Sequence, residues 1–360
     1  MKIGFDGRYA EEDLVGVGKY IINLVSQISK KEKCIVFYSK EPKFKIKGKN
    51  IKSIVLSTKN RYIFEQIALP LALINNKVDL YHAVGNMGIP LICPVPAIVT
   101  VHDIIPLEIK DYFSYSPFPL LSKLSYFVRL YTSLKGAVKI ITVSNYVKSE
   151  LVKKINIDSS KILTIYSGAP AILKQGILPK NLIGEKYILN NGGIDIRKNL
   201  DRLIEAFSIV QNKKKYIKLA ITGDNKKIRN NLQKLVNKLG LVKSVIFTGY
   251  VSDKILFALI TNAKMVCYPT LSEGFGFPIL EGFGAGTPVI SSDTSSIPEI
   301  AGNAAMLVDP GNVNKISRAM EKVLSDSSLI KAMVLKGKAR YNKFNWSKSA
   351  NEYLDLYHNI

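Results

Sequence analysis

Three cysteines, three histidines and one tryptophan are all that 360 residues hold of these types. Cys34, Cys93 and Cys267 stand far apart, each in an apolar run, so the chain has neither a disulfide framework nor the paired spacing of a zinc knuckle. Long hydrophobic runs are missing too. The nearest, IFEQIALPLALI from Ile63, carries Glu65 and Pro70 and falls short of the roughly 18 apolar residues that span a bilayer. The opening MKIGFDGRY turns acidic at Glu11, Glu12 and Asp13 and lacks the apolar core of a signal peptide, so export is not expected and a cytoplasmic protein is. Acid is scarce: 28 Asp plus Glu face 51 Lys plus Arg, for a formal charge of +23. No Asp-x-Asp pair for a divalent cation occurs.

Such a basic balance suits nucleic acid, an anionic membrane or phosphorylated small molecules. Residues 1–180 carry 26 basic and 13 acidic groups and residues 181–360 carry 25 and 15, so the excess is spread along the chain. Aromatics do not interleave with the Lys clusters, and no RRM or helix-turn-helix pattern accompanies them, which argues against a nucleic-acid-binding module.

What is present is core-forming sequence. With 47% hydrophobic residues the chain can offset its ordering entropy, and its length predicts two domains. Short Ile- and Val-rich strands alternate with longer amphipathic stretches, the pattern of βα units around a parallel sheet. KIGF, CIVFY, IKSIVL, VDLYH, AIVTVHD and KIITVS are the strands of the first half; Val17 to Ser29, Tyr62 to Asn75 and Leu120 to Leu134 read as helices. The periodicity weakens between Gln175 and Gly184, where Pro179 marks a linker, and then YILNN, KLAITGD, SVIFTGY, MVCYPT, PVISS and AAMLV follow. The expectation is an α/β protein of two doubly wound, Rossmann-like domains facing across a cleft, residues 1–178 and 179–345, with a helix over 346–360 returning to the first.

The most informative segment is MVCYPTLSEGFGFPILEGFGAGTPVISSD, residues 265–293, read as strand, Gly-rich loop, helix with Pro278 in its first turn, and strand. Gly274 and Gly276 permit backbone shapes closed to other residues and let main-chain N–H groups approach a ligand. A helix starting there adds its positive dipole end, which suits phosphate. Glu273 at the loop mouth and Glu281 about one turn inside can accept hydrogen bonds from sugar hydroxyls; the competing reading is that both only complement the helix N-terminus. Fourteen glutamates make a bare pair at this spacing uninformative, so the loop setting carries the weight.

On SEGFGFPILEGFGAGTPVI the chain resembles the retaining glycosyltransferases of family 4, which have the GT-B fold and transfer a sugar from a nucleotide diphosphate donor. The resemblance implies that Glu273 contacts the donor sugar, that Gly274, Phe275 and Gly276 hold sugar and diphosphate through their backbone, and that Glu281 binds the ribose. VGVGKYIINL, from Val15, resembles the family's first-domain glycine loop, with Gly16 and Gly18 closing on the diphosphate from across the cleft. VTVHDIIPL places His102 at a strand end beside Asp103, which in the family lies by the sugar's C6 side and the reaction centre; His102 and Glu273 are the candidate catalytic residues. ITVSNYVKSEL resembles a strand-to-helix step with Ser144 as N-cap. GGIDIRKNL resembles the opening of the donor domain, with Lys198 reaching the diphosphate as a mobile point charge and Arg197 beside it, and departs from some relatives in carrying Gly193 where they have Arg.

The resemblance further implies a hexose transfer without metal or other cofactor, accompanied by domain closure, to a glycan or polyprenyl-linked acceptor in cell-envelope polysaccharide or O-antigen assembly. DGR at Asp6 to Arg8 and the step at Asp103 are similar to mannosyl- and rhamnosyl-transferring members, which makes GDP-mannose the first guess. A nucleotide-sugar epimerase is the alternative; a dinucleotide-dependent dehydrogenase lacks its GxGxxG. Residues 112–139, aromatic with only Lys and Arg as charges, suit either the inner face of an anionic membrane or a core helix with a Lys edge.

Overall fold

The computed structural model describes every residue except 13–15, 111, 115, 174 and 175, so Val15 of the first glycine loop and Gln175 of the expected linker lie outside the described residues. Two compact units form, Met1–Gly168 with Phe344–Ile360, and Ala169–Lys343. The divisions fall at 168/169 and 343/344 rather than at 178/179 and 345/346. The reason is that residues after 168 bond within the second unit: the Pro170 carbonyl accepts from the Tyr341 hydroxyl at 2.6 Å and the Gly176 N–H donates to the Lys254 carbonyl at 3.1 Å.

The first unit is a parallel sheet of Lys2–Asp6 (β1), Lys33–Tyr38 (β2), Ile51–Val55 (β3), Leu80–Ala83 (β4), Ala97–Val101 (β5), Lys139–Thr142 (β6) and Ile162–Thr164 (β7), in the order β3-β2-β1-β4-β5-β6-β7. The second holds Lys186–Asn190 (β8), Ile217–Thr222 (β9), Val245–Gly249 (β10), Met265–Tyr268 (β11), Val289–Ser292 (β12) and Met306–Val308 (β13), in the order β10-β9-β8-β11-β12-β13. All strand pairs are parallel. Helices cover both faces, so central strands are largely apolar and buried along their length, as in AIVTV of β5. In each sheet the order reverses beside its first strand, between β1 and β4 and between β8 and β11. Ligands of doubly wound sheets bind outside the carboxyl ends of strands at that point.

The helix Val17–Ile28 buries Tyr20, Ile21, Leu24, Val25 and Ile28, the stripe that 3.6-residue periodicity produces. Ser144 caps the helix Asn145–Ile155 of the same unit as expected, its Oγ accepting from the Val147 N–H at 3.3 Å. The expected helix from Tyr62 to Asn75 is instead interrupted by a π-helical turn at Phe64–Ala68. Pro70 has no N–H to give the Gln66 carbonyl, so the α ladder cannot run through. The wider turn sends Glu65 inward, where it is buried.

The last helix, Trp346–His358, closes the first unit. Tyr353 hydrogen-bonds Tyr20 and, at 3.1 Å, Thr100. Fully buried His82 joins the Tyr357 hydroxyl through Nδ1 and the Thr100 hydroxyl through Nε2, both at 2.7 Å. Burial holds this imidazole neutral, its pKa pushed down to about 3.

Candidate active site

The loops after β8 and β11 bring Glu273, Lys198 and Arg197 together at the second unit's switch point. Asp195 caps a short 3₁₀ turn at Ile196–Lys198, accepting from the Arg197 N–H at 3.1 Å, and this turn directs both cations toward the β11 loop. Lys198 Nζ donates to Glu273 Oε1 at 2.7 Å, and Arg197 Nη1 donates to Oε2 at 2.6 Å. Thr270 Oγ1, 3.1 Å away, and the Tyr268 hydroxyl also donate to Oε1. Burial alone would protonate this carboxyl, but Lys198, Arg197 and these hydrogen bonds outweigh it and hold the pKa near 2. Lys198 itself is buried and bonded to Tyr268 as well as Glu273, so it is a fixed cation and not the mobile one expected.

The helix Phe277–Ala285 starts at Gly276, φ 113°, with no side-chain cap. Glu273 therefore faces the cations rather than capping the helix. Of the loop glycines, Gly276 has the positive φ; Gly274 is absent from the positive-φ residues of the described chain. Ser296 fastens the loop from behind, its Oγ donating to the carbonyls of Glu273 at 2.8 Å and Phe275 at 3.0 Å. Glu281, one turn into the helix, accepts from Asn191 Nδ2 at 2.8 Å. Asn191 follows β8 and is buried, and its Oδ1 has no hydrogen-bond partner. Carboxylate and amide oxygen together form an acceptor pair suited to a diol. At Gly193 the backbone adopts φ 79°, with the position of a Cβ on Gly223 only 2.7 Å from its Cα. The glycine thus serves a tight loop.

Gly16, Gly18 and His102 belong to the first unit. Gly16 has φ 45° at the N-terminus of the helix Val17–Ile28, whereas Gly18 lies within that helix, buried. His102 sits just past β5; its Nε2–H donates to the Val84 carbonyl at 2.6 Å, leaving Nδ1 as acceptor, and its N–H bonds Asn86 Oδ1 at 2.7 Å. Tyr20 of the Gly16 helix stands edge-on to the ring at 4.6 Å. Burial, against the pull of the Val84 carbonyl, brings its pKa down to about 4.

Sequence reasoning missed Asn191, Tyr268 and Thr270. Their signal was positional, since NN closes YILNN and Tyr268 closes MVCY at the carboxyl ends of the two switch-point strands.

Residues 15–171 match the family described as Glycosyltransferase Family 4, and residues 177–340 match Glycosyl transferases group 1. The chain belongs to the family-4 type of glycosyltransferases and is a transferase of the GT-B fold. It is 28% identical over 271 residues to O-antigen chain mannosyltransferase B of Escherichia coli, covering 72% of this chain and 70% of that one. To the serotype-specific mannosyltransferase WbdA of the same organism it is 27% identical over 270 residues, spanning 72% of this chain but only 33% of the relative's length. Among solved structures, HepE of Anabaena, in complex with UDP and glucose, superimposes with a TM-score of 0.77 over all of both chains at 16% identity, a likeness of fold.

Proposed function

We propose that the chain transfers a hexose, with mannose from GDP-mannose as the first candidate, to a glycan or lipid-linked acceptor in O-antigen or related cell-envelope polysaccharide assembly. The observation that carries this reading is the Glu273 carboxylate, held ionised by Lys198 and Arg197 beside an uncapped helix N-terminus. Departure of a nucleoside diphosphate from the anomeric carbon needs stabilisation of developing negative charge, which the two cations and the amides of the Phe277–Ala285 helix supply. In this reading Glu273 takes a hydroxyl of the donor sugar, and Glu281 with Asn191 Oδ1 takes the ribose diol. The acceptor attacks on the face the diphosphate leaves, retaining configuration, and the leaving phosphate oxygen receives its proton. No metal or other cofactor is assigned, because protein cations do this work; activity in EDTA checks that. Relatives named as mannosyltransferases support the choice of sugar.

A peripheral position at the inner face of the cytoplasmic membrane is part of the proposal. No helix among the described residues is long and apolar enough to cross a membrane. The helix Pro119–Gly136 nevertheless turns Leu120, Leu121, Leu124, Phe127, Val128 and Tyr131 to solvent on one face, with Lys123 and Lys135 also exposed. Arg129 takes no part in that face, since its guanidinium bonds Glu65. Loss of flotation with anionic liposomes on neutralising Lys123 and Lys135 is the expected result.

A thermal-shift screen across nucleotide sugars identifies the donor by mass-action stabilisation. Release of free nucleoside diphosphate only when an acceptor is supplied separates transferase from epimerase; release-free interconversion of the donor would sink the proposal.

A further inference from the structure

The last helix of the first unit reaches His102, expected from the sequence to be catalytic, through a single side chain. Trp346 and Tyr353, two turns apart on one face of the helix Trp346–His358, both meet Tyr20 of the helix that Gly16 opens. The Trp346 indole lies against the Tyr20 ring at 5.4 Å between centroids, and the Tyr353 hydroxyl bonds the Tyr20 hydroxyl. Gly168 makes room for this packing, since a Cβ there would come within 2.3 Å of the indole. The Tyr20 ring in turn stands edge-on to His102, at 4.6 Å and 87°, while its N–H donates to the Gly16 carbonyl at 3.0 Å.

The loop after β4 pins His102 independently. Val84 fixes Nε2–H, and Asn86, whose φ of 32° is uncommon outside glycine, accepts from the His102 N–H. Nδ1 makes no hydrogen bond among the described residues and remains an acceptor. Behind Tyr353, Thr100 and His82 extend the hydrogen-bonded chain to Tyr357. Phenylalanine at positions 20 and 353 would bury nearly the same apolar area, so the hydroxyls add little to burial. A satisfied buried network contributes instead a single arrangement of the rings that carry it.

We propose that Tyr20 and Tyr353 are positioning residues for the transfer: the helix Trp346–His358 fixes Tyr20 through Tyr353, and Tyr20 holds the His102 imidazole with Nδ1 presented to the reacting ligands. The kinetic consequence rests on the transferase reading above; the placement of the ring stands without it.

The test joins kinetics to nitrogen-15 NMR of labelled histidine in the full chain, which has three histidines to assign. Tyr353→Phe should lower kcat about threefold and Tyr20→Leu about tenfold, with donor KM within about twofold of wild type, because the ring is misplaced and donor binding is not. In both variants the His102 signals should move from one Nε2–H tautomer toward an average of two, while exposed His358 stays unmoved. Tyr357→Phe removes an equally buried hydroxyl of the same helix, one that bonds His82 rather than Tyr20, and should leave kcat and the His102 signals as they are. Added to His102→Ala, Tyr20→Leu should cause no further loss, whereas a merely structural role would lower the rate again. Wild-type turnover in His102→Ala, unshifted His102 signals, or an equal kcat loss in Tyr357→Phe and Tyr353→Phe each overturn the proposal and leave the function proposed above intact. A wild-type chain that transfers no sugar from any donor overturns that function, and the His102 signals then decide the positioning by themselves.

Discussion

The two sheets share a strand order, yet their switch points hold charge in opposite ways. In the second unit a carboxylate is the enclosed group: Glu273 is surrounded by Lys198, Arg197, Tyr268 and Thr270, and no oxygen of it lacks a donor. In the first unit guanidiniums are the enclosed groups: Asp6 and Glu65 hold Arg8, and Glu65 also holds Arg129. One scaffold therefore carries two chemistries, decided by a few side chains at strand ends and not by the fold. A self-satisfied site such as that around Glu273 must trade partners when ligand arrives.

The largest effect that could break this comparison is on turnover. Glu273→Gln keeps the shape but removes the charge that Lys198 and Arg197 balance. Turnover should fall by two orders of magnitude or more, the scale of losing one preorganised electrostatic group. A rate within a factor of a few of wild type would show the enclosed carboxylate to be structural only.

Stability comes next. Lys198→Met takes from the buried Glu273 carboxylate one of its two cations, the more deeply buried one, a change that costs about 3–5 kcal/mol. Arg129→Met in the first unit removes one charged hydrogen bond from Glu65, which keeps Arg8, and should cost about 1.5–3 kcal/mol. Denaturant titrations of the two variants give the difference; equal losses would erase the contrast between the two networks.

Acid titration sharpens it further. His82 and His102, both in the first unit, are held neutral with pKa values near 3 and 4, below the roughly 6.5 of an unfolded histidine. A depressed pKa means the unfolded chain binds the proton first, so stability is fully present above about pH 6.5 and declines as pH falls toward 4, by about 1.4 kcal/mol per unit for each histidine. Glu273, depressed to about 2, loses its contribution only between about pH 4.5 and 2. The first unit should soften before the second, as read by amide exchange in each unit between pH 6.5 and 4.5. Simultaneous loss would contradict it.

Much of this was legible in residue order. Twelve short apolar runs mark twelve of the thirteen strands among the described residues, because a strand covered on both faces is largely apolar. The thirteenth, Ile162–Thr164, is three residues at a sheet edge, too short for periodicity to register. Glu273 and Glu281 were legible through the glycines around them. Glu65 was not: in sequence it only spoils an apolar run, and its role appears once Pro70 forces the π turn that points it at Arg8 and Arg129. Arg129, read as one basic charge of an aromatic stretch, turns inward from another helix to bond the same Glu65. Long-range ion pairs have no signature in spacing.

The smallest effect concerns the first βα loop of each unit, where the comparison becomes a likeness. Gly16, after β1, has φ 45°, and Gly193, after β8, has φ 79°; a Cβ at either would meet no atom within 4 Å. Substitution of Gly193 by alanine thus adds no clash, and only the strain of its positive φ remains, about 1–2 kcal/mol. Since the space is open, Gly193→Arg, restoring the residue some relatives carry, should cost the same as Gly193→Ala. A drop of a few degrees in melting temperature, equal for both, is the expected reading. If the arginine variant instead matches wild type while the alanine variant falls, the new guanidinium has found an anionic partner in the second unit, and the charge balance around Glu273 is less complete than its geometry implies.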